Sequence, residues 1–253
     1  VSEAKPKKSG VLALLALIIL VTIAANAWKS SLKMKQVTVE GNRIVATNEI
    51  VQLMQAPFGT LLYKADLTSI QRNVMSHYYI KDAVVERNLP NTIHVTVKER
   101  IPIAIINRSE PLYLDDEGVV LPRSVSKKMF DLPVISGITA TEQVTLGSHV
   151  TQPDVLEALQ LLAVVKVVNR PLSYNISEIQ VRNGGDIVLF AAEGGVPIIF
   201  GRGELASKIA RLEVFWNDVA RARGPQNLQY VDLRYQDQVV ARWTNDQAPA
   251  KTM

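Results

Sequence analysis

The segment from Ala83 to Ala104 constrains the fold more than any other part of the chain. Val84 and Val85 open a β-branched run, and Leu89-Pro90-Asn91 makes a turn, because Pro fixes φ and Asn tolerates the left-handed region. Beyond the turn, Ile93, Val95 and Val97 alternate with His94, Thr96 and Lys98. A period of two with one apolar and one polar face predicts a half-buried antiparallel hairpin. The second strand runs out through Glu99-Arg100-Ile101 to Pro102, which lacks an N–H and excludes a regular central ladder at that point.

Upstream, Val11 to Ala27 is apolar apart from Thr22 and Asn26, and lysines 5, 7 and 8 precede it. As a helix this stretch spans roughly 26 Å, and Gly10 with Trp28 brings it close to the ~30 Å hydrocarbon core of a bilayer. Trp28 is the expected membrane-interface anchor. Ala25-Asn26-Ala27 also matches the small-x-small pattern of a cleaved signal peptide, but the apolar run exceeds the usual ~7–15 residues of a signal core. The expectation is a transmembrane helix over 11–28 with residues 1–10 in the cytoplasm. On either reading everything after residue 28 is exported.

Cysteine is absent, so no disulfide framework holds the exported part, and packing alone must do so. About 220 residues suffice for one large domain or two small ones. The formal charge of +4 is modest, and six lysines crowd around the apolar segment. With no downstream basic run interleaved with aromatics, the chain is not expected to bind nucleic acid.

Val37 to Glu40 reads as a strand ended by Gly41-Asn42. Thr47 or Asn48 is placed to cap a helix starting at Glu49, with Ile50, Leu53 and Met54 on one face. Asp66 caps a second helix with Leu67, Ile70 and Val74 at spacings of three and four. With the hairpin, the order is strand, helix, helix, strand, strand: a small α+β unit in which two helices cover one face of a three-stranded sheet.

The second half reads as a β-rich domain with covering helices. Asp115 to Gly118 turns between strands 112–114 and 119–121. Pro153 opens a helix to about Val168, stopped by Asn169-Arg170-Pro171, with Val155, Leu156, Leu159, Leu162 and Ala163 buried. Strands follow over 176–182, 187–191 and 197–200, joined by turns at Asn183-Gly184-Gly185 and Glu193-Gly194-Gly195. Glu204 to Ala222 forms an amphipathic helix with Leu205, Ile209, Leu212, Trp216 and Val219 on one stripe, ended by Gly224-Pro225. Two strands close the folded part, Val231 to Tyr235 and Val239 to Trp243.

No reactive constellation accompanies this architecture. His77, His94 and His149 are far apart without metal-ligand spacing. Asp115-Asp116-Glu117 reads as a charged turn, since the calcium-loop spacing is missing. Gly201-Arg202-Gly203 before a helix lacks the third glycine and the lysine of a phosphate loop. There is no Gly-x-Ser-x-Gly and no cysteine nucleophile. The chain is expected to be no enzyme and to need no cofactor.

In order along the chain, Val37-Thr38-Val39-Glu40-Gly41-Asn42, the two helices, Ala83 to Pro90, Val95 to Ala104, Leu132-Pro133-Val134-Ile135-Ser136-Gly137, Phe200 to Gly203 and Tyr230 to Tyr235 resemble the FtsQ/DivIB family. Its members are bitopic bacterial cell-division proteins with a cytoplasmic tail, one membrane helix, a POTRA domain and a following β domain. The resemblance implies a POTRA domain at 34–102, a β domain at 103–245 with a mixed or antiparallel sheet, and a flexible tail at 246–253. It implies a non-catalytic scaffold of the divisome in the inner membrane at the septum, binding FtsB and FtsL and helping to control the septal peptidoglycan synthase. It places the partner-binding surface at Arg202, Val231, Leu233, Arg234, Tyr235, Val239, Ala241 and Trp243. The rival readings are a signal-cleaved periplasmic binding protein and a POTRA-type chaperone of outer-membrane assembly. The helices at 153–168 and 204–222 interrupt any run of alternating membrane strands that an outer-membrane barrel would need.

Overall fold

The computed structural model describes residues 8–107, 110–123, 130–138, 144–168, 172, 175–181 and 185–244. The expected tails at 1–10 and 246–253 lie wholly or mostly outside these residues, as do the helix stop at 169–171 and most of the turn at 183–185. Helix α1, Lys8–Ser31, is long and apolar enough to cross a membrane, and its side chains between Leu12 and Lys29 are exposed. The chain then divides into two compact units, with the division after Glu99.

In the first unit, β1 (Gln36–Glu40) runs parallel to β3 (Thr92–Glu99), which pairs antiparallel with β2 (Ile80–Asn88), giving the order β1-β3-β2. The alternation read from sequence decides the faces: Ile93, Val95 and Val97 are at most 4% exposed, and His94, Thr96 and Lys98 lie on the other side. Helices α2 (Thr47–Met54) and α3 (Leu67–Met75) supply Ile50, Met54, Ile70 and Val74 to the core. Asp66 caps α3 as expected, its carboxylate accepting from the N–H groups of Thr68 and Ser69 at 3.1 and 3.2 Å. That pairing, led by the hydroxyl of Ser69, holds the Asp66 carboxyl below its ordinary pKa.

Helix α2 departs from expectation. It begins at Thr47 after Ala46, with no side-chain cap. Instead the carboxylate of Glu99, at the far end of β3, gathers the N–H groups of Arg43, Ile44 and Val45 at 2.8 Å each. A long-range carboxylate thus orders the approach to the helix where a local cap was expected.

The second unit is a mixed nine-stranded sheet in the order β12-β11-β10-β9-β8-β7-β4-β5-β6. Its strands are β4 (Pro102–Asn107), β5 (Pro111–Asp115), β6 (Val120–Leu121), β7 (Val134–Ser136), β8 (Ile176–Gln180), β9 (Ile187–Ala191), β10 (Pro197–Gly201), β11 (Leu228–Asp232) and β12 (Val240–Trp243). Pro102 is accommodated as the first residue of β4, where the ladder with β5 shifts register. Asp115 is fully buried, and it makes the expected turn by accepting from Glu117 and Val119 N–H while pairing with Arg100 at 2.7 Å.

Helix α4 (Pro153–Val168) and helix α5 (Leu205–Phe215) add their apolar residues to one core with the sheet. Val155, Ala158, Leu159, Leu161, Leu162 and Val165 are buried, whereas Leu156 and Ala163 are only half-buried. After Phe215 the helix continues as a π turn, Trp216–Ala220, and a last turn, Arg221–Arg223. The wider turn delays the apolar stripe by one position. Ala220 is buried and Val219, expected on the buried stripe, is only half-buried.

Candidate functional site

The site begins with a boundary that moved. The strand expected over 231–235 is β11, which starts earlier, at Leu228, and ends at Asp232. Asp232 ends it with its own side chain: Oδ1 accepts from the N–H of Arg234 at 3.0 Å, turning the backbone away. Leu233 N–H still reaches the carbonyl of Ile199 on β10 at 2.9 Å. The final strand likewise begins at Val240, with Val239 just before it.

Strand β12 pairs antiparallel with β11 and has no strand on its other side among the described residues. The direction of its free groups follows from its neighbour. Leu233 faces β10 through its N–H, so alternate residues 230 and 232 face β12. Opposite them stand Arg242 and Val240. Ala241, between these two, directs its N–H and C=O outward, where a further strand can pair.

The other expected residues surround this edge unevenly. Arg234 and Tyr235 are exposed, the latter 53%, and Val239 and Ala241 are half-buried. Val231, Leu233 and Trp243 belong to the core and support the edge from beneath; Trp243 also lies under the Arg223 guanidinium, 4.6 Å from its ring centroid. Arg202 is engaged inside the unit. It pairs with Asp154 at 2.6 Å, with Glu157, and with the carbonyl of Gly185 through Nε and Nη2. Burial pulls its pKa down, but the two carboxylates outweigh burial and the net shift is upward. Trp28 lies on α1, outside this surface.

Arg234 bonds Asp232 through Nε and Nη2 and reaches Asp186 through Nη1 at 2.9 Å. The hydrogen bonds to Asp232 raise its pKa, and they hold the Asp232 carboxyl below its ordinary value against the effect of burial. Beside it the sheet face is hollowed to about 360 Å³ and lined by apolar Val188, Phe190, Pro197 and Ile199, with Tyr230 and Gln229 at the margin.

Three contributors were not read from sequence. Lys208 is 5% exposed and donates to the carbonyls of Phe200 and Arg202 at 3.1 and 2.7 Å. Burial holds its pKa below the usual lysine value. Its position on the apolar stripe between Leu205 and Ile209 was the available signal. Arg211 donates to the carbonyl of Tyr235 at 3.0 Å, and Asp186 partners Arg234; neither pairing has a local sequence signature.

The arrangement offers an open strand edge, cations and an aromatic, and the described residues contain no group of three metal-ligating side chains. The profile described as POTRA domain, FtsQ-type matches residues 32–100, and that described as FtsQ/DivIB, C-terminal related matches residues 101–242. The chain is 29% identical over 211 residues to the cell division protein FtsQ of Geobacter sp. (strain M21), covering 83% of this chain and 76% of that protein. It is 31% identical over 186 residues to the FtsQ of Anaeromyxobacter sp. (strain K), covering 73% and 63%. The cell division protein DivIB of Clostridium acetobutylicum matches over 106 residues at 31% identity, 42% of this chain and 43% of that one. With both halves of the folded chain matched in order, the chain belongs to the FtsQ/DivIB family of cell division proteins.

Proposed function

We propose that this chain is a non-catalytic scaffold of the divisome that captures a segment of a small bitopic partner of the FtsB type, bound in turn to FtsL, by adding a strand to β12. The observation that carries the reading is the outer side of β12, which ends the nine-stranded sheet with no neighbouring strand among the described residues. Strand addition gives affinity through main-chain hydrogen bonds and specificity through the flanking side chains. Exposed Tyr235 and the Arg234 guanidinium suit the second role, since aromatic and Arg anchors dominate interface energetics. Val239 and Ala241 border the incoming strand, while Val231, Leu233 and Trp243 fix the edge it meets. Arg202 holds the neighbouring loop against α4.

The apolar helix α1 supports a membrane-anchored protein with the tail in the cytoplasm, residues 34–245 in the periplasm as POTRA and β domains, and a place at the septum beside the peptidoglycan synthase. Co-purification of the full chain with the membrane-distal segment of an FtsB-type partner tests the reading. Tyr235→Ala is expected to weaken capture at least tenfold with an unchanged circular dichroism spectrum. Failure of the wild-type chain to capture that segment would remove FtsB as the partner.

A further inference from the structure

The chain leaves α1 at Ser31 and is held by the first unit immediately. Leu62 N–H donates to the carbonyl of Leu32 at 2.9 Å, Met34 N–H to that of Thr60 at 2.8 Å, and Gly59 N–H to that of Met34 at 3.0 Å. Lys33 and Leu61 form an antiparallel bridge. Lys35 and Gln36 both donate to the carbonyl of Asn91, at 2.8 and 3.3 Å. Two loops, 57–64 and 89–91, are therefore fastened to the first residues after the apolar helix. Arg87 ties the hairpin to the other loop, donating to the carbonyls of Leu62 at 3.0 Å and Ala65 at 2.7 Å. Four residues of chain reach at most about 14 Å, so the attachment points lie within that distance of the end of α1.

These loops carry three large side chains that are more than half exposed. Phe58, Tyr63 and Leu89 are 53%, 63% and 74% exposed. Exposed Lys29, Lys33, Lys35 and Lys64 accompany them, and no acidic residue occurs from Ala4 to Val39 or from Ile50 to Ala65. Aromatic and apolar side chains among lysines, at the foot of a membrane-length helix, match the chemistry of an anionic headgroup layer. The opposite end of the unit differs in position: Tyr78 precedes the nine-residue β2, whose length sets it roughly 25–30 Å from Leu89.

We propose that the 57–64 and 89–91 loops seat the first unit on the outer leaflet surface, with Phe58, Tyr63 and Leu89 entering the headgroup layer and the lysines pairing with anionic lipid phosphates. This rests on the membrane-anchored reading above. It gives the unit a fixed face toward the bilayer.

The absence of native cysteine makes single-site spin labelling direct. Full-length Phe58→Cys, Tyr63→Cys, Leu89→Cys, Tyr78→Cys and Ile19→Cys would each carry a nitroxide in nanodiscs of phosphatidylcholine and phosphatidylglycerol at a ratio of about 3:1, a negative surface of the kind that attracts lysines. Collision with oxygen relative to a water-soluble nickel chelate should be at least about threefold higher at the three loop positions than at 78, because the headgroup layer admits oxygen and excludes the chelate. Loop labels as aqueous as that at 78, with Ile19 in the acyl phase, would overturn the seating while leaving the anchor intact. An aqueous label at Ile19 would remove the anchor and the seating with it. Replacing phosphatidylglycerol by phosphatidylcholine should lower the loop ratios, and unchanged ratios would refute the lysine contribution.

Discussion

Arg234 grips Asp232 two residues before it, Nε bonding Oδ1 at 3.0 Å and Nη2 bonding Oδ2 at 2.7 Å, while the backbone N–H of the same Arg234 donates to Oδ1. One ion pair thus ends strand β11 and fixes the loop that leads to Tyr235 and the edge strand. The carboxylate is 5% exposed and the guanidinium side chain 45%, so the pair has a buried, costly half and a half that faces solvent. A partner meeting Arg234 would meet a cation already positioned by the fold.

It follows that Arg234→Ala removes more than a contact. It leaves the buried Asp232 carboxylate without its ion-pair partner and should cost about 1–3 kcal/mol of stability, less than a fully buried pair because solvent screens the guanidinium. Asp232→Asn in the same chain should recover part of the loss, which denaturant titration of the single and double variants would measure. Because Asp232 titrates below its ordinary 3.8 in the folded state, its stabilisation is present above that pH and is lost as pH falls through the lower folded value. The stability gap between wild type and Asp232→Asn should therefore be constant from pH 8 to about pH 5 and close in acid. A gap that widens in acid would contradict the pairing.

Glu99 should behave as a structural centre of the first unit. Its carboxylate collects three backbone N–H groups ahead of α2. Glu99→Ala should destabilise the unit by about 2 kcal/mol, the scale of charge-assisted hydrogen bonds left unmade. Glu99→Gln should recover only part, since its NH₂ group turns a donor toward donors. Hydrogen exchange at the amides of 43–45 would report the change directly, and unaltered protection in Glu99→Ala would refute the role.

Trp216 lies where the helix widens, 1% exposed, with Nε1 donating to Glu193 at 3.0 Å. Glu193 also pairs with Arg221 across the π turn at 2.9 Å, and that pairing lowers the pKa of its carboxyl. Trp216→Ala should cost about 3–5 kcal/mol by opening a large cavity. Trp216→Phe keeps most of the volume and loses one hydrogen bond, which predicts about 1–2 kcal/mol in the same denaturation assay.

The difference between what sequence disclosed and what it did not follows the range of the interactions. The alternation of Ile93, Val95 and Val97 is local and fixed both the hairpin and its buried face. Asp66 before α3 is equally local, and its cap was legible. Glu99 acts across more than fifty residues to order the start of α2, so no window around Thr47 contains it. The π turn at Trp216 shifts the buried stripe from Val219 to Ala220 without a proline or glycine to announce it. At the edge, residue types pointed to the right region, but the sheet order was needed to separate exposed Tyr235 from buried Val231 and Leu233.

The direction of backbone groups in β12 gives the sharpest separation between fold and function. Ala241 points its N–H outward, while Arg242 faces Tyr230 on β11. Proline is tolerated on an edge strand where the lost N–H faces solvent, and not where it serves the ladder. Ala241→Pro should therefore leave the isolated chain folded, with its unfolding midpoint nearly unchanged, and abolish capture of an added strand. Arg242→Pro should instead weaken the β11–β12 ladder and lower stability by roughly 1–2 kcal/mol. Denaturation and partner co-purification on both variants give a two-by-two outcome. If Ala241→Pro captures the partner as well as wild type does, recognition does not proceed by strand addition at this edge, and the exposed side chains around Tyr235 must carry it alone.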